Sequence, residues 1–147
     1  MTRFLAVTLL ALGFTAGAAD DKAGKAELDR FTGTWQGVSY VKDGNAASKE
    51  EAAVLRLVVA GEKYTLTEGG QTIEGTHKLD PTKRPAWIDA VRTKGPHAGE
   101  KMLGVYQLSE DSFVVSLAAP GKERPAKLDA KGGPGLRVLG FKREKKG

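Results

Sequence analysis

The sequence contains no cysteine among its 147 residues, and aromatic residues make up only 7% of it. Without cysteine, the protein has no disulfide framework and no thiol that could carry a lipid anchor. Its stability must therefore come from the burial of side chains alone. A chain of this length is typical of one hydrophobic core, which predicts a single globular domain.

The common motifs for nucleotide and metal binding are also missing. Neither Gly24-Lys25 nor Gly121-Lys122 has the glycine five residues earlier that a phosphate-binding loop needs. The chain has no H-E-x-x-H motif and no calcium loop, and its two histidines, His77 and His97, lie 20 positions apart. We therefore expect no nucleotide hydrolysis, no metal site and no cofactor.

The charge is mildly positive, with 23 Lys and Arg against 18 Asp and Glu. These basic residues are spread along the chain, except for the tail at 142–146. A nucleic-acid groove usually combines a basic stripe with exposed aromatic residues. We expect no nucleic-acid partner, and the charges favour a solvated surface.

The amino-terminal residues have the pattern of a secretory signal peptide. Arg3 precedes an apolar run over 4–14, and small residues follow as far as Ala19. Signal peptidase needs small side chains before its cleavage point, which predicts cleavage after Ala18 or Ala19. The alternative, an uncleaved anchor, is disfavoured because the run is shorter than the roughly 20 residues that span a bilayer. We expect residues 1–19 to be removed and the mature chain, without a membrane span, to lie in the periplasm, the cell envelope or the medium.

The rest of the chain divides into three parts. Residues 20–27 are polar and contain a glycine, which predicts a flexible leader, and residues 26–31 are suited to one helical turn. The globular domain is predicted over 28–143 and a basic tail over 144–147.

The domain has the alternating pattern of β-strands. Most connections between the segments are short turns rich in glycine and acidic residues, which suit antiparallel hairpins. Ser48 and Glu51 have the spacing of a capping box, which predicts one short helix over 49–53. This pattern predicts an all-β fold, a lipocalin-like antiparallel eight-stranded barrel with one short helix. The predicted strands are 33–42, 55–60, 63–68, 72–79, 86–91, 101–109, 112–118 and 136–143.

Several motifs carry a family resemblance. Gly33-Thr34-Trp35 resembles the opening of lipocalin-type barrels, in which the tryptophan closes the barrel floor. The segments 75–82, 85–89, 104–108 and 120–125 then follow in the order and spacing of an uncharacterised lipocalin-like small domain that is abundant in planctomycete bacteria. The resemblance covers about 28–143 and implies a fold and a lineage, but no activity. The chain departs from the family pattern at His77, where an aromatic residue is common, and at Ser116, where cysteine is frequent.

His77 is the main candidate for chemistry. Strand alternation places it on one face with Ile73 and Leu79, so we expect it to point into the barrel. Packing with one hydrogen bond is the simplest role, and contact with a ligand or action as a base is the alternative. Asp80 and Asp89 flank a proline-containing loop and are interpreted as turn caps, although the two could approach each other as an acid/base pair.

Further candidate ligand contacts are Tyr64, Trp87 and Tyr106. Trp35 and Trp87 are the largest apolar side chains, and burial in the core is the expectation for both. The lipocalin resemblance suggests that an arginine of the last strand stacks on Trp35, and Arg143 is favoured over Arg137.

Three functions remain open from the sequence. The first is an exported binding or interaction module, a monomer that holds a small apolar or amphipathic ligand or docks another envelope component. The second is a small hydrolase or isomerase that uses His77 with a nearby carboxylate. The third is a purely structural envelope domain. The basic loop at 120–125 is interpreted as a connector that could also contact an anionic partner.

Overall fold

The structure is a computed structural model that describes residues 15–145, with the side chains of 22–145. Two helices and nine strands follow one another in the order α1, β1, β2, α2 and then β3 to β9. The helices are α1 Thr15–Phe31 and α2 Lys49–Ala53. The strands are β1 Gly33–Lys42, β2 Asn45–Ala46, β3 Arg56–Ala60, β4 Lys63–Glu68, β5 Gln71–Asp80, β6 Ala86–Lys94, β7 Lys101–Leu108, β8 Ser112–Ala118 and β9 Leu136–Arg143.

Eight of the strands form a closed barrel. Apart from the two-residue β2, which pairs only with the end of β1, each strand is antiparallel to its neighbours in the order β1, β3, β4, β5, β6, β7, β8, β9. The sheet closes because β1 also pairs with β9, from Trp35 opposite Arg143 to Lys42 opposite Arg137. This confirms the predicted all-β fold and its eight-stranded antiparallel barrel. We call the end where β1 begins the lower end, and the end where β1 finishes the upper end.

The lower end of the barrel is closed by α1. The sequence predicts a flexible leader over 20–27, and this is wrong, because the segment lies within α1. Its alanine, lysine and acidic residues favour a helix, and tertiary contacts fix it: Glu27 and Phe31 are buried, and α1 packs on β5. The predicted signal peptide lies mostly outside the described residues and stays a prediction.

A β-bulge in β1 changes which residues face the interior. Strict alternation would place Trp35 and Val41 on the inner face and Tyr40 on the outer one. The pairing with β9 shifts between Gly37 and Ser39, so that one extra residue is inserted. Trp35 and Tyr40 consequently both point inward, and the predicted inner face holds only for the first half of the strand.

The short helix forms as its capping pattern predicts. Ser48 precedes α2, and its side chain accepts a hydrogen bond from the Glu51 amide at 3.1 Å. Ala52 and the following Leu55 are buried, and α2 packs against β1. The helix therefore covers the upper part of β1, beyond the residues that pair with β3.

The lower half of the interior is filled with aromatic side chains. The ring of Phe31 lies 4.4 Å from that of Phe113 and 5.8 Å from that of Trp35. Trp35 is fully buried and donates from Nε1 to the carbonyl of Phe31 at 3.0 Å. The guanidinium of Arg143 lies 4.2 Å from the Trp35 ring centroid, which is the stacking partner that the sequence favours over Arg137.

Candidate ligand cavity

The upper half of the barrel contains a cavity of about 80 Å³. Most of its wall is aliphatic or aromatic, because the inner faces of the seven strands β3 to β9 carry apolar residues there. Its floor is the aromatic cluster around Phe31 and Phe113. The apolar lining residues are Phe31, Leu57, Leu66, Ile73, Ile88, Ala90, Met102, Phe113, Val115, Leu117, Leu139 and Phe141, and the polar ones are Tyr40, Tyr64, Glu68, His77, Arg92 and Arg137.

His77 lies in the wall of this cavity and points inward, as strand alternation predicts. It is 3% exposed, and its ring meets Phe31 edge-on with centroids 5.3 Å apart. Nε2 is 2.9 Å from the carbonyl oxygen of Gly61, so Nε2 must carry the hydrogen. Burial lowers the pKa of His77, while the Gly61 hydrogen bond and the charge of Glu62 partly oppose that shift. A neutral imidazole with one hydrogen bond is therefore the stable form.

Tyr64 also reaches the cavity, and a glycine on the next strand makes its position possible. Its ring stacks on His77 at 5.8 Å between centroids. Tyr64 pairs with Gly75, where a Cβ atom would come within 2.5 Å of the Tyr64 hydroxyl. Burial raises the pKa of Tyr64. Gly75, the first residue of the segment 75–82 that carries the family resemblance, therefore lets the Tyr64 ring lie flat against β5.

The upper mouth of the cavity is polar and carries charges of both signs. Tyr40, Glu68, Arg92 and Arg137 come from β1, β4, β6 and β9 respectively. Burial raises the pKa of the Tyr40 phenol, and the positive charges of Arg137 and Arg92 oppose this shift. Arg92 is 7% exposed and donates to the carbonyl of Pro96 at 3.1 Å. A buried cation thus lies at the polar mouth of a mostly apolar cavity.

The sequence does not identify Arg92 as a site residue, although a signal for it exists. The predicted strand over 86–91 ends one residue before Arg92, whereas β6 continues to Lys94. Ile88, Ala90 and Arg92 are buried in strict alternation along β6. Extending that alternation by one step would have placed Arg92 inside.

Tyr106 points inward but lies outside the cavity. Its hydroxyl donates to Glu27 Oε2 at 2.8 Å, and both groups are buried at the lower end. Glu27 also forms a 2.6 Å ion pair with Arg30. Burial, followed by the hydrogen bond to Glu27, raises the pKa of Tyr106. Tyr106 therefore fastens α1 to the barrel and is not a cavity contact.

Trp87 lies on the outer face of β6, so the expectation of core burial is wrong for it. It does not line the cavity, and its contact with a ligand stays a prediction. It is 40% exposed, with Lys83 and Arg124 over its ring at 4.9 and 4.4 Å. The register opposes it to Val105, and its neighbours Ala86 and Ile88 take the inward positions. Alternation allows only one of Ile88 and Trp87 to face the core.

The two carboxylates do not form an acid/base pair with His77. Asp80 Oδ1 accepts from the Thr82 amide at 3.0 Å, which is the predicted turn cap. Asp89 is not a turn cap: it lies in the middle of β6, pairs with Arg124 at 2.5 Å and has Lys101 at 3.9 Å. Asp89 is on the outer face and His77 on the inner one, because inward Ala90 is the register partner of His77.

Arg124 anchors the proline-rich loop to the outside of the barrel. Besides pairing with Asp89, its guanidinium donates to the carbonyls of Ile88 and Gly104 at 2.9 and 2.8 Å. Only 16% of its side chain is exposed. The guanidinium of Arg124 is therefore engaged within the protein, in agreement with the interpretation of this loop as a connector.

Comparisons with protein-family models, with curated proteins and with solved structures find no match to this chain. The relationship to the planctomycete family stays a prediction. Among residues 15–145, no group of three His, Cys, Asp or Glu side chains is placed to hold a metal ion. Over the same part of the chain, no helix has the length and apolar character needed to cross a membrane.

Proposed function

We propose that the protein is an exported binding module whose barrel holds one small apolar or amphipathic ligand in its upper half. Export rests on the predicted signal peptide. The binding role rests on one observation, the mostly apolar cavity of about 80 Å³ above the aromatic cluster. The apolar side chains that line such a cavity have no atoms to pack against on one side, and a ligand that fills the cavity restores these van der Waals contacts.

The structure favours this function over the two alternatives from the sequence. An acid/base mechanism with Asp89 would need that carboxylate beside His77, yet the two lie on opposite faces of the sheet. Asp80 is engaged with Thr82 in a turn. A purely structural domain would be expected to fill its interior with side chains, as the lower half of this barrel does.

The proposal is tested by native mass spectrometry of the protein purified from its own host. We expect a fraction of the protein to carry a small-molecule adduct that is lost on unfolding. Ala90 lies in the cavity wall beside His77, which is its register partner on β5, and Ala90→Leu would add three carbon atoms to the interior. We expect this variant to fold and to lose the adduct.

The matched control is Thr76→Leu, which adds leucine to the exposed outer face of neighbouring β5. It should retain the adduct at the wild-type level. If Ala90→Leu folds and keeps the adduct, the ligand is bound elsewhere. If native protein carries no adduct, and hexanamide and hexanoate at millimolar concentration also fail to bind in solution, the binding function is wrong.

A further inference from the structure

We propose that the ligand of this cavity is a short-chain carboxylic acid, whose carboxylate is held at the upper mouth by Arg92 and Arg137. This inference rests on the proposed binding function and adds to it the chemical class of the ligand. It follows from three features of the mouth: a buried arginine that forms no ion pair with any of residues 22–145, the local balance of charge, and the small volume beneath.

Arg92 is the first of these features. It is more than nine-tenths buried, and its side-chain hydrogen bond to the Pro96 carbonyl uses only one of the five N–H groups of a guanidinium. None of the ion pairs within residues 22–145 includes Arg92 or Arg137. A buried charge is normally paired, because removing it from water is costly. The remaining N–H groups of Arg92 are therefore suited to an incoming anion.

The charge balance of the mouth favours a single negative charge. Arg92 and Arg137 contribute two positive charges and Glu68 one negative charge, while buried His77 is neutral. Asp43, whose negative charge also acts on Tyr40, lies outside the cavity lining and accepts a hydrogen bond from the Gly135 amide. Among the lining residues, one positive charge is left over. A carboxylate would neutralise it, and the planar fork of an arginine matches the two oxygens of a carboxylate. The nearby hydroxyl of Tyr40 can donate a further hydrogen bond.

The volume beneath the mouth limits the length of the chain. The cavity measures about 80 Å³. An engineered apolar cavity of about 150 Å³ accepts benzene, so the space here holds about three carbon atoms. The polar mouth would hold the carboxylate and the first carbons of the chain. Acids of the size of butanoate and hexanoate therefore fit, whereas a long-chain lipid would need the barrel to expand.

The test compares hexanoate with hexanamide, which has almost the same shape but no charge. Binding of each to the purified protein is followed by ¹H–¹⁵N chemical-shift titration at neutral pH. We expect hexanoate to bind at least about tenfold more tightly, the contribution typical of a hydrogen bond to a charged group. Arg92→Met should reduce the affinity for hexanoate by about tenfold or more and leave that for hexanamide almost unchanged.

Arg56→Met is the matched control, because Arg56 is an exposed arginine that pairs with Glu144 on the outside of the barrel. It should bind hexanoate as the wild type does. Arg92→Met is expected to fold, since it removes a buried charge and keeps an unbranched side chain. If Arg92→Met fails to fold, Arg137→Met, at a half-exposed position, repeats the test.

The outcomes separate this inference from the binding function beneath it. Equal affinity for hexanoate and hexanamide would leave the cavity as a binding site and overturn the carboxylate assignment. A preference for hexanoate that survives both Arg92→Met and Arg137→Met would overturn it as well. Failure of both compounds to bind would overturn the binding function and the assignment with it.

Discussion

Replacement of Trp35 by alanine should remove a large part of the stability of the barrel. The indole is fully buried against Phe31 and Phe113, and its Nε1 donates to the Phe31 carbonyl. Truncation of a buried tryptophan typically costs about 3–5 kcal/mol. Loss of the hydrogen bond and of the contact with Arg143 adds about 1–2 kcal/mol. We expect a decrease of about 4–7 kcal/mol in the free energy of unfolding.

A loss of this size is comparable with the whole stability of many small domains, about 5–15 kcal/mol. Urea unfolding should therefore be measured at low temperature, by far-ultraviolet circular dichroism, which does not depend on the tryptophan signal. Trp35→Phe, which keeps a ring in the cluster, serves as a graded variant and should lose about half as much.

The chain provides its own control in Trp87, the second tryptophan. Trp87 is 40% exposed, and its ring contacts are with the cations of Lys83 and Arg124. Trp87→Ala should cost about 1 kcal/mol. If Trp35→Ala destabilises the protein no more than Trp87→Ala does, the aromatic cluster does not hold the lower end of the barrel together, and the reasoning above is refuted.

Three further predictions concern single positions. Burial lowers the pKa of His77, so its contribution to the free energy of unfolding is constant above the unfolded pKa of about 6.5 and becomes unfavourable as pH falls below that value. The stability of His77→Phe relative to wild type should therefore be greater at about pH 5 than at about pH 8, and a stability difference that does not change with pH in denaturant melts would contradict the inward, neutral histidine. Ser116 is 1% exposed, and its Oγ has no hydrogen-bond partner among the described residues, so Ser116→Ala should raise the free energy of unfolding by about 1 kcal/mol. The control Ser112→Ala, which loses an exposed contact with Ser109, should not raise it. The intact mass of the exported protein should correspond to a chain that begins at Ala19 or Asp20, and recovery of a chain that begins at Met1 from outside the cell would disprove cleavage.

The order of the strands was readable from the sequence because each strand is a local pattern. Alternation of apolar and polar residues, bounded by tight turns, predicts β1, β4, β8 and β9 with the bounds that the structure has. The same rule places His77 inside. The capping pair of Ser48 and Glu51 is local as well, and α2 forms where it predicts.

The candidate site was only partly readable. Alternation identifies His77, and Tyr64 was among the predicted ligand contacts, and both line the cavity. Trp87 and Tyr106 do not, because Trp87 takes an outward position on β6 and Tyr106 bonds to Glu27 at the lower end. Tyr40 reaches the interior only through the bulge in β1, and this irregularity depends on pairing with β9, about a hundred residues later in the chain.

The sequence by itself therefore determined the elements and most of their faces, since these depend on side chains a few residues apart. Only the tertiary structure decided that 20–27 is helical, because burial of Glu27 and Phe31 against the barrel stabilises a segment that is polar on its own. It also decided where the interior is filled and where it is hollow. That difference depends on how side chains from α1 and eight strands fit together, with Phe31, Trp35 and Phe113 meeting at the lower end and a cationic mouth remaining at the upper one.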